Sequence, residues 1–474
     1  MKKRRYLLIV TLFWSLVVAG NLFAETVVKS TIQDQAAVQL TVYNHNLGLV
    51  KDIRSLPLEA GQGELRFMDV AAHILPASVQ VNALNQEHPF TVLEQNYEYD
   101  LINADKLLDK YVGKTIKIMD WNRYQDRKEV VEAELLSNNQ GQVYRIDDEI
   151  YLGHPGYKIL PKVPDNLISK PTLTWLYANP TAGRQELEVS YLTENISWKA
   201  DYVLKLQADD SLGKLTGWVT LDNQSGGTYH QAELKLVAGD IHRVQPENRQ
   251  QERLMKSMQA ASAPQFEEES FFEYHLYDLQ RKTTVKNRQT KQISLLTADG
   301  IALHKEYRVT GTKNAFLQKR GGRDHREPVK VFIGFKNSRD NNLGMPLPGG
   351  LVRLYKQDSA QSLQFIGEDS IDHTPKNERV RLLIGEAFDL VAERRQTEYR
   401  RISSRLHESA WEIRLRNRKQ EPVSIAVIEP MTGNWQVLEA SHPYTKQDAF
   451  TLKFSVDVQP DTEVTIRYKL RIGL

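Results

Sequence analysis

Residues 187–204 read LEVSYLTENISWKADYVL, and this stretch indicates the fold class of the chain. Leu187, Val189 and Tyr191 alternate with polar neighbours, which places one face of a strand on a core and the other in water. Short strands separated by Gly, Pro, Asn and Asp turns are typical of antiparallel sandwiches. The sequence predicts a mainly β protein with two to three antiparallel, immunoglobulin-like β-sandwich domains. The period of two recurs at Val38, Leu40 and Val42, at Trp411, Ile413 and Leu415, and at Val464, Ile466, Tyr468 and Leu470.

Breaks in this alternation predict the domain organisation. We expect an N-terminal β domain over 33–165, a central β domain over 172–392 and a C-terminal β-sandwich over 393–474. The Pro-containing stretch 161–171 is the predicted hinge between the first two domains.

Two stretches do not follow the strand pattern. Residues 101–112 (LINADKLLDKYV) have apolar side chains near helical spacing and predict a short helix, with Asn103 as its cap. Residues 245–270 are polar, rich in Gln, Ala and Ser, and predict a flexible insertion in the central domain. A solvated helix over 250–260 is the alternative for that insertion.

The N-terminus predicts export. Residues 2–5 are all basic, and 6–19 form an apolar run that is too short to match the roughly 20 residues of a stable membrane anchor. This is the layout of a secretory signal peptide over 1–24, with cleavage after Ala24. An uncleaved anchor is the alternative. The prediction is a periplasmic protein without a membrane span in its mature chain, with secretion or association with the outer membrane as alternatives.

Composition excludes several classes of function. The chain has 62 basic and 60 acidic residues, and removal of the four basic residues at 2–5 leaves a slight negative balance. That balance gives no electrostatic reason to expect a nucleic acid partner. The chain has no cysteine, which excludes disulfides, thiolate metal sites and a lipid-modified cysteine.

Motifs for catalysis, cofactors or metals are missing from the sequence. The twelve histidines are all at least twelve residues apart, whereas chelating pairs on one element are two to five residues apart. No nucleophile elbow, phosphate loop, dinucleotide fingerprint or EF-hand loop occurs. We therefore predict no cofactor and no metal.

The densest polar constellation lies in GEDSIDHTP, residues 367–375. A carboxylate beside an imidazole can orient a general base, so Glu368, Asp369, Asp372 and His373 are the candidate catalytic residues. The favoured interpretation is structural, because Asp and Ser side chains commonly bond the amides of turns.

Four further polar stretches also have a structural interpretation that we favour. Glu273 and His275 are two residues apart, which suits a polar pair on a half-exposed sheet. Asp147 to Glu149, followed by His154, suit a solvated hairpin turn better than a cation site. The basic run 319–326 predicts a flexible, solvated loop, and 393–405 predicts a long exposed strand with alternating charges.

Several of these segments resemble the family called domain of unknown function 4139, whose relatives include proteins labelled mucoidy inhibitor. The resemblance covers roughly 172–474 and implies β-sandwich domains in an envelope or secreted protein, without an established reaction. At 227–230 the chain has Gly-Thr-Tyr-His where many members have Gly-Glu-Asp-Trp. The matching blocks are LEVSYLTENISWKADYVL (187–204), VTLDNQSGGTYHQAELKLVAG (219–239), FFEYHLYDL (271–279) and 347–394, with LPGGLVRLY, FIGEDSIDHTP and LLIGEAFDLVAER.

The leading hypothesis is an exported, non-catalytic binding or structural module of the bacterial cell envelope. Its partner would be an envelope protein or a glycan. The alternative is a hydrolase of envelope polysaccharide or peptide that uses the carboxylates near Asp369 and His373.

Overall fold

The computed structural model describes residues 26–84, 90–98, 103–122, 126–164, 170–239, 266–271, 274–321 and 323–474. The predicted signal peptide lies outside the described residues. Within the described part, 33 strands, one helix and four short 3-10 turns follow one another. The mainly β prediction is confirmed.

The strands are numbered in chain order. The first eleven are β1 Thr26–Ser30, β2 Gln35–Tyr43, β3 Leu47–Leu58, β4 Gly61–Met68, β5 Gln80–Ala83, β6 Thr91–Glu98, β7 Thr115–Asn122, β8 Arg127–Ser137, β9 Val143–Ile146, β10 Glu149–Leu152 and β11 Tyr157–Ile159. The next eleven are β12 Thr172–Asn179, β13 Gly183–Thr193, β14 Ile196–Leu206, β15 Leu212–Asn223, β16 Tyr229–Ala238, β17 Phe266–Phe271, β18 Tyr274–Leu279, β19 Thr283–Val285, β20 Gln289–Ala302, β21 His304–Thr310 and β22 His325–Glu327. The last eleven are β23 Lys330–Lys336, β24 Gly350–Gln357, β25 Leu363–Ile371, β26 Arg379–Glu386, β27 Leu390–Arg401, β28 Leu406–Asn417, β29 Val423–Pro430, β30 Asn434–Ala440, β31 Tyr444–Asp448, β32 Thr451–Val458 and β33 Glu463–Gly473. The helix α1 is Ala104–Asp109, and the 3-10 turns are Ile32–Asp34, Pro76–Ser78, Ala315–Leu317 and Arg339–Asn341.

These strands form six sheets among the described residues. Their orders are β1-β4-β12-β6, β10-β9-β8-β7-β11, β17-β18-β16-β2-β3-β13-β5 with β19 beside β16, β20-β15-β14-β24-β25, β26-β23-β21-β29-β32-β31 and β22-β27-β28-β33-β30. Most of the described pairs are antiparallel, but some are parallel, namely β1 with β4, β2 with β16, β14 with β24 and β21 with β29. A parallel pair needs a long crossover connection, so each joins strands that are distant in the chain.

The described residues divide into two compact units. One contains 53–70 and 81–188 together with the described residues up to 36, and the other contains 37–52, 71–80 and 189–474. In the first unit, a small core under β7, β8 and β9 includes Ile116, Ile118 and Tyr144. In the second unit, one hydrophobic cluster includes Trp411, Phe454 and Tyr468 and lies between two sheets.

Strand pairing joins segments from both sides of the predicted domain limits, and the limits themselves stay a prediction. Strand β12, the start of the predicted central domain, pairs with β4 and β6, which belong to the predicted N-terminal domain. Residue 393 lies inside β27, and the C-terminal sandwich draws β21 and β23 from the predicted central domain into its sheet. Alternation marks a strand as half-buried, but it does not identify the neighbours of that strand, which come from distant parts of the chain.

The two stretches that break the strand pattern have different outcomes. The helix prediction is confirmed over Ala104–Asp109, and Asn103 caps it by accepting a hydrogen bond from the Lys106 amide at 2.9 Å. Residues 245–265 of the predicted insertion lie outside the described residues. Residues 266–270 correct that prediction because they belong to β17, where Phe266 is buried and pairs with Leu279 of β18.

Among the described residues, no helix is both long enough and apolar enough to span a bilayer.

Candidate functional site

The outer face of the sheet β26-β23-β21 bears many charged side chains. In β21, Tyr307 and Val309 are buried, so alternation turns His304, Glu306 and Arg308 to the opposite face. The neighbouring strands follow the same rule. Together they contribute Phe332, Gly334 and Lys336 from β23 and Arg379 and Arg381 from β26.

These residues form the floor of an open groove, which we call the basic groove. Its volume is about 1120 Å³, slightly above the roughly 300–1,000 Å³ typical of ligand sites. One wall is formed by Ser338, Asp340 and Asn341, and the other by Ser370, Ile371, Asp372 and Thr374. The groove therefore offers space for a ligand larger than a single small ion.

Asn337 ties the two walls of the basic groove together. Its fully buried side chain donates from Nδ2 to the carbonyls of Met345 at 2.8 Å and Pro375 at 2.9 Å. Its Oδ1 accepts from the Gly344 amide at 3.0 Å. Beside this contact, Leu347 and Thr374 exchange two backbone hydrogen bonds of 2.8 Å. These bonds fix the loops that form the walls.

Phe332 lies in the groove floor between two arginines. The guanidinium carbons of Arg308 and Arg381 are 5.4 Å and 5.1 Å from the centroid of its ring, within the range of cation–π attraction. Register explains these contacts, because Arg308 is opposite Lys330 and Arg381 is opposite Gly334, the two residues that lie two positions from Phe332 along β23. Gly334 adds no side chain there, so the floor next to Phe332 stays open.

The lining of the groove has an excess of positive charge. Arg308, Arg379, Arg381, Lys336 and Lys453 line it, against the carboxylates of Glu306, Asp340 and Asp372. Glu306 already binds Arg308, with a shortest N–O distance of 2.9 Å. Arg379, Arg381 and both lysines form no ion pair within the described part of the chain. A ligand with negative groups would supply the missing partners.

Three of the four candidate catalytic residues that the sequence predicted have side-chain contacts with other groups of the protein. Glu368 forms an ion pair with Arg353 at 3.3 Å, and Asp369 accepts from the Leu383 amide at 2.7 Å. His373 accepts from the Gly349 amide at 3.0 Å through Nδ1. Of the four, Asp372 lines the basic groove, and its side chain is exposed. Three of the four therefore have contacts that suit a structural role.

The other predicted polar pairs also have structural partners. His275 approaches Glu268 of the paired strand β17, with Nδ1 to Oε1 at 2.7 Å, and the predicted partner Glu273 lies outside the described residues. Asp147 and Asp148 form the turn between β9 and β10, as the hairpin prediction required. His154 accepts from the Gly156 amide at 3.0 Å. Among the described residues, no group of three His, Cys, Asp or Glu could hold a metal ion.

The two arginine-rich stretches need correction. The predicted loop 319–326 ends inside β22, which pairs with β27, and Asp324 forms an ion pair with Arg414 at 2.6 Å. The predicted exposed strand 393–405 is flanked on both sides only near its start, where β22 and β28 pair with residues 392–394, and 397–405 is mostly exposed. Arg394 within it is only 5% exposed, because it pairs across the sheet with Ile413 and faces the sandwich core.

Arg394 is the centre of a buried ionic cluster. It donates to Glu327 at 2.7 Å and to Glu429 at 2.6 Å, and its Nη1 is 3.2 Å from the Tyr468 hydroxyl. Burial raises the pKa of Glu429, although Arg394 opposes that effect. Burial likewise raises the pKa of Tyr468. The cluster joins the two sheets of the sandwich from inside, where a substrate has no access, so we assign it a structural role.

Sequence analysis did not identify the basic residues of the groove. They come from strands that begin at 304, 330, 379 and 451, and only the sheet brings them together. A signal exists in the sequence, since Arg379 and Arg381 have the spacing of one strand face. That signal alone does not distinguish a groove from an ordinary solvated face.

Comparison with known families gives a match that covers more than half of the chain. The model of the family described as Domain of unknown function (DUF4139) matches residues 187–473, which include every residue of the basic groove. No curated protein matches the chain.

Proposed function

The chain belongs to the DUF4139 family, and from that premise we propose that it is an exported, non-catalytic binding module of the bacterial cell envelope. Its ligand occupies the basic groove. The observation that carries the proposal is an open groove of about 1120 Å³ whose arginines and lysines are mostly without ion-pair partners in the described part of the chain.

Export to the periplasm rests on the sequence of residues 1–24. The absence of cysteine agrees with a chain that is not tethered through a lipid-modified cysteine. Secretion and association with the outer membrane are the alternative destinations.

Chemistry at the groove favours binding over hydrolysis. A general acid needs a carboxyl whose proton is retained near neutral pH, usually through burial or a neighbouring like charge. Asp372 is exposed to solvent, and Glu306 is engaged by Arg308. The groove therefore has cations and hydrogen-bonding groups for holding a ligand, but no carboxyl shielded for proton transfer.

Export is tested by expressing the full chain and measuring the intact mass of the protein in each cell fraction. We expect a periplasmic product that begins at Glu25. A full-length product in the inner membrane would instead indicate an uncleaved anchor and would remove the periplasmic part of the proposal.

Binding is tested by filling the floor of the groove. Gly334→Trp adds a large side chain beside Phe332, and the nearest atom to its Cβ would be the Val380 carbonyl oxygen at 3.3 Å. Gly321→Trp is the matched control, because nothing lies within 4 Å of a Cβ at that position. Immobilised proteins are exposed to solubilised envelope fractions, and the bound protein and carbohydrate are measured. We expect Gly334→Trp alone to lose the bound material; equal retention by both variants would contradict the proposal.

Catalysis is tested with the same fractions. Release of soluble sugars or peptides is followed over time with the wild-type chain and with Asp372→Asn. We expect no release by either protein. Release that disappears in Asp372→Asn would support the hydrolase alternative.

A further inference from the structure

We infer that the basic groove binds an acidic saccharide, a sugar chain that bears carboxylate or sulfate groups. The inference rests on the proposed function and names the chemistry of the ligand.

Positive charge in the groove selects for anions. Arg379 and Arg381 protrude from the same face of β26, two residues apart, and both are exposed. A guanidinium presents a planar fork that matches two oxygens of a carboxylate or sulfate. Lys336 is directly opposite Arg379 in the sheet and adds a third cation nearby. This arrangement can contact several anionic groups along one ligand.

The rest of the lining suits sugar rings. Asp340 and Asp372 can accept hydrogen bonds from hydroxyl groups, and Ser338 and Thr374 can both donate and accept them. Phe332 offers an apolar surface at the floor. A ligand that carries anions, hydroxyl groups and apolar C–H faces together uses all three kinds of group, and an acidic saccharide has this composition.

Two other polyanions fit the groove less well. An extended acidic peptide gains affinity by adding to a free sheet edge. The edge strand β26 is covered in part by β25, since Asp369 bonds the Leu383 amide at 2.7 Å and a Cβ at Gly367 would lie 2.5 Å from the Ile384 carbonyl. A lipid surface is flat, whereas these cations lie along a walled groove.

The test compares purified ligands by calorimetry. The probes are polygalacturonate oligomers for carboxylates, dextran sulfate for sulfates and dextran as the neutral chain, with poly-glutamate and anionic phospholipid vesicles as competing polyanions. The variants are Arg379→Glu/Arg381→Glu and the control Lys313→Glu/Arg400→Glu, which changes the net charge equally outside the groove. We expect at least one acidic saccharide to bind, dextran not to bind, and only the groove variant to lose about tenfold or more in affinity. Higher salt should weaken the same binding because it screens exposed charges.

The outcomes separate this inference from the proposed function. If the groove variant and the control bind an acidic saccharide equally, or if poly-glutamate or vesicles bind more tightly than both saccharides, the inference is overturned. If Gly334→Trp loses envelope material while neither acidic saccharide binds, the groove is still a binding site and only the ligand class is wrong. If Gly334→Trp has no effect on either assay, the proposed function fails as well.

Discussion

Asn337→Ala should destabilise the walls of the basic groove by about 4 kcal/mol. The substitution removes the partner of the Met345 and Pro375 carbonyls and of the Gly344 amide, all at a fully buried position. A buried polar group without a partner costs about 1–3 kcal/mol. Three such groups give roughly 3–9 kcal/mol, and water that enters the space left by the side chain reduces the cost toward the lower end.

Hydrogen exchange of individual amides measures this effect where it arises. We expect the Gly344, Leu347 and Thr374 amides to lose protection by about three orders of magnitude, since 1.4 kcal/mol is a factor of ten. Asn341→Ala is the control. Asn341 also bonds several backbone groups, including the Ala302 amide at 2.7 Å, but those bonds are exposed and water can replace them. Protection that changes by less than tenfold in Asn337→Ala, or equally in both variants, would refute the assignment of Asn337 as the tie between the walls.

Gly311→Ala should lower the melting temperature of the protein, because the added Cβ would lie 2.2 Å from Oε2 of buried Glu429. Overpacking of this kind costs about 1–3 kcal/mol. An unchanged melting temperature in thermal denaturation would contradict this prediction. Burial opposes the ionisation of Asp210, yet the hydrogen bonds from two lysines, Lys305 among them at 2.7 Å, hold the pKa of its carboxyl below the ordinary value. The stability that this pairing provides is present above about 3.9, the pKa of an Asp in the unfolded chain, and is lost as pH falls through the pKa of Asp210 in the folded protein. Asp210→Asn should therefore be less stable than wild type at pH 7 by roughly 1 kcal/mol. Urea titrations should show this difference disappear at low pH, and a difference that does not change with pH would contradict the pairing of Asp210 with the lysines. Asn103→Ala should destabilise helix α1 by about 1 kcal/mol. Hydrogen exchange of the Lys106 amide should then become faster, and unaltered exchange would mean that the cap does not stabilise helix α1.

The sequence predicted correctly those structural features that depend on residues close together in the chain. Alternation at Leu187, Val189 and Tyr191 predicts a strand because each side chain of a strand faces the side opposite to its neighbour, and all three are buried in β13. Asn103 is equally local, since a cap bonds an amide three residues away. The mainly β class and the short helix were therefore predictable.

Pairings between distant strands were not predictable from one sequence. The period of two gives no information on which strand lies alongside another, so the pairing of β12 with β4 could not be foreseen. Arg394 shows the same effect for a single residue. Its position in a charged stretch predicts exposure, but its place opposite Ile413, with Glu327 and Glu429 as partners, puts it in the core.

The sequence by itself determined the fold class and the helix cap of this protein, and it supplied the expectation of export. The basic groove could be found only from the tertiary structure, since Arg308, Phe332 and Arg381 come from three separate strands and meet only through sheet register. It also identified the contacts of Glu368, Asp369 and His373, which are Arg353, the Leu383 amide and the Gly349 amide. The physical reason is that strand formation depends on the side chains within a few residues, whereas a ligand site depends on contacts between residues far apart in the chain.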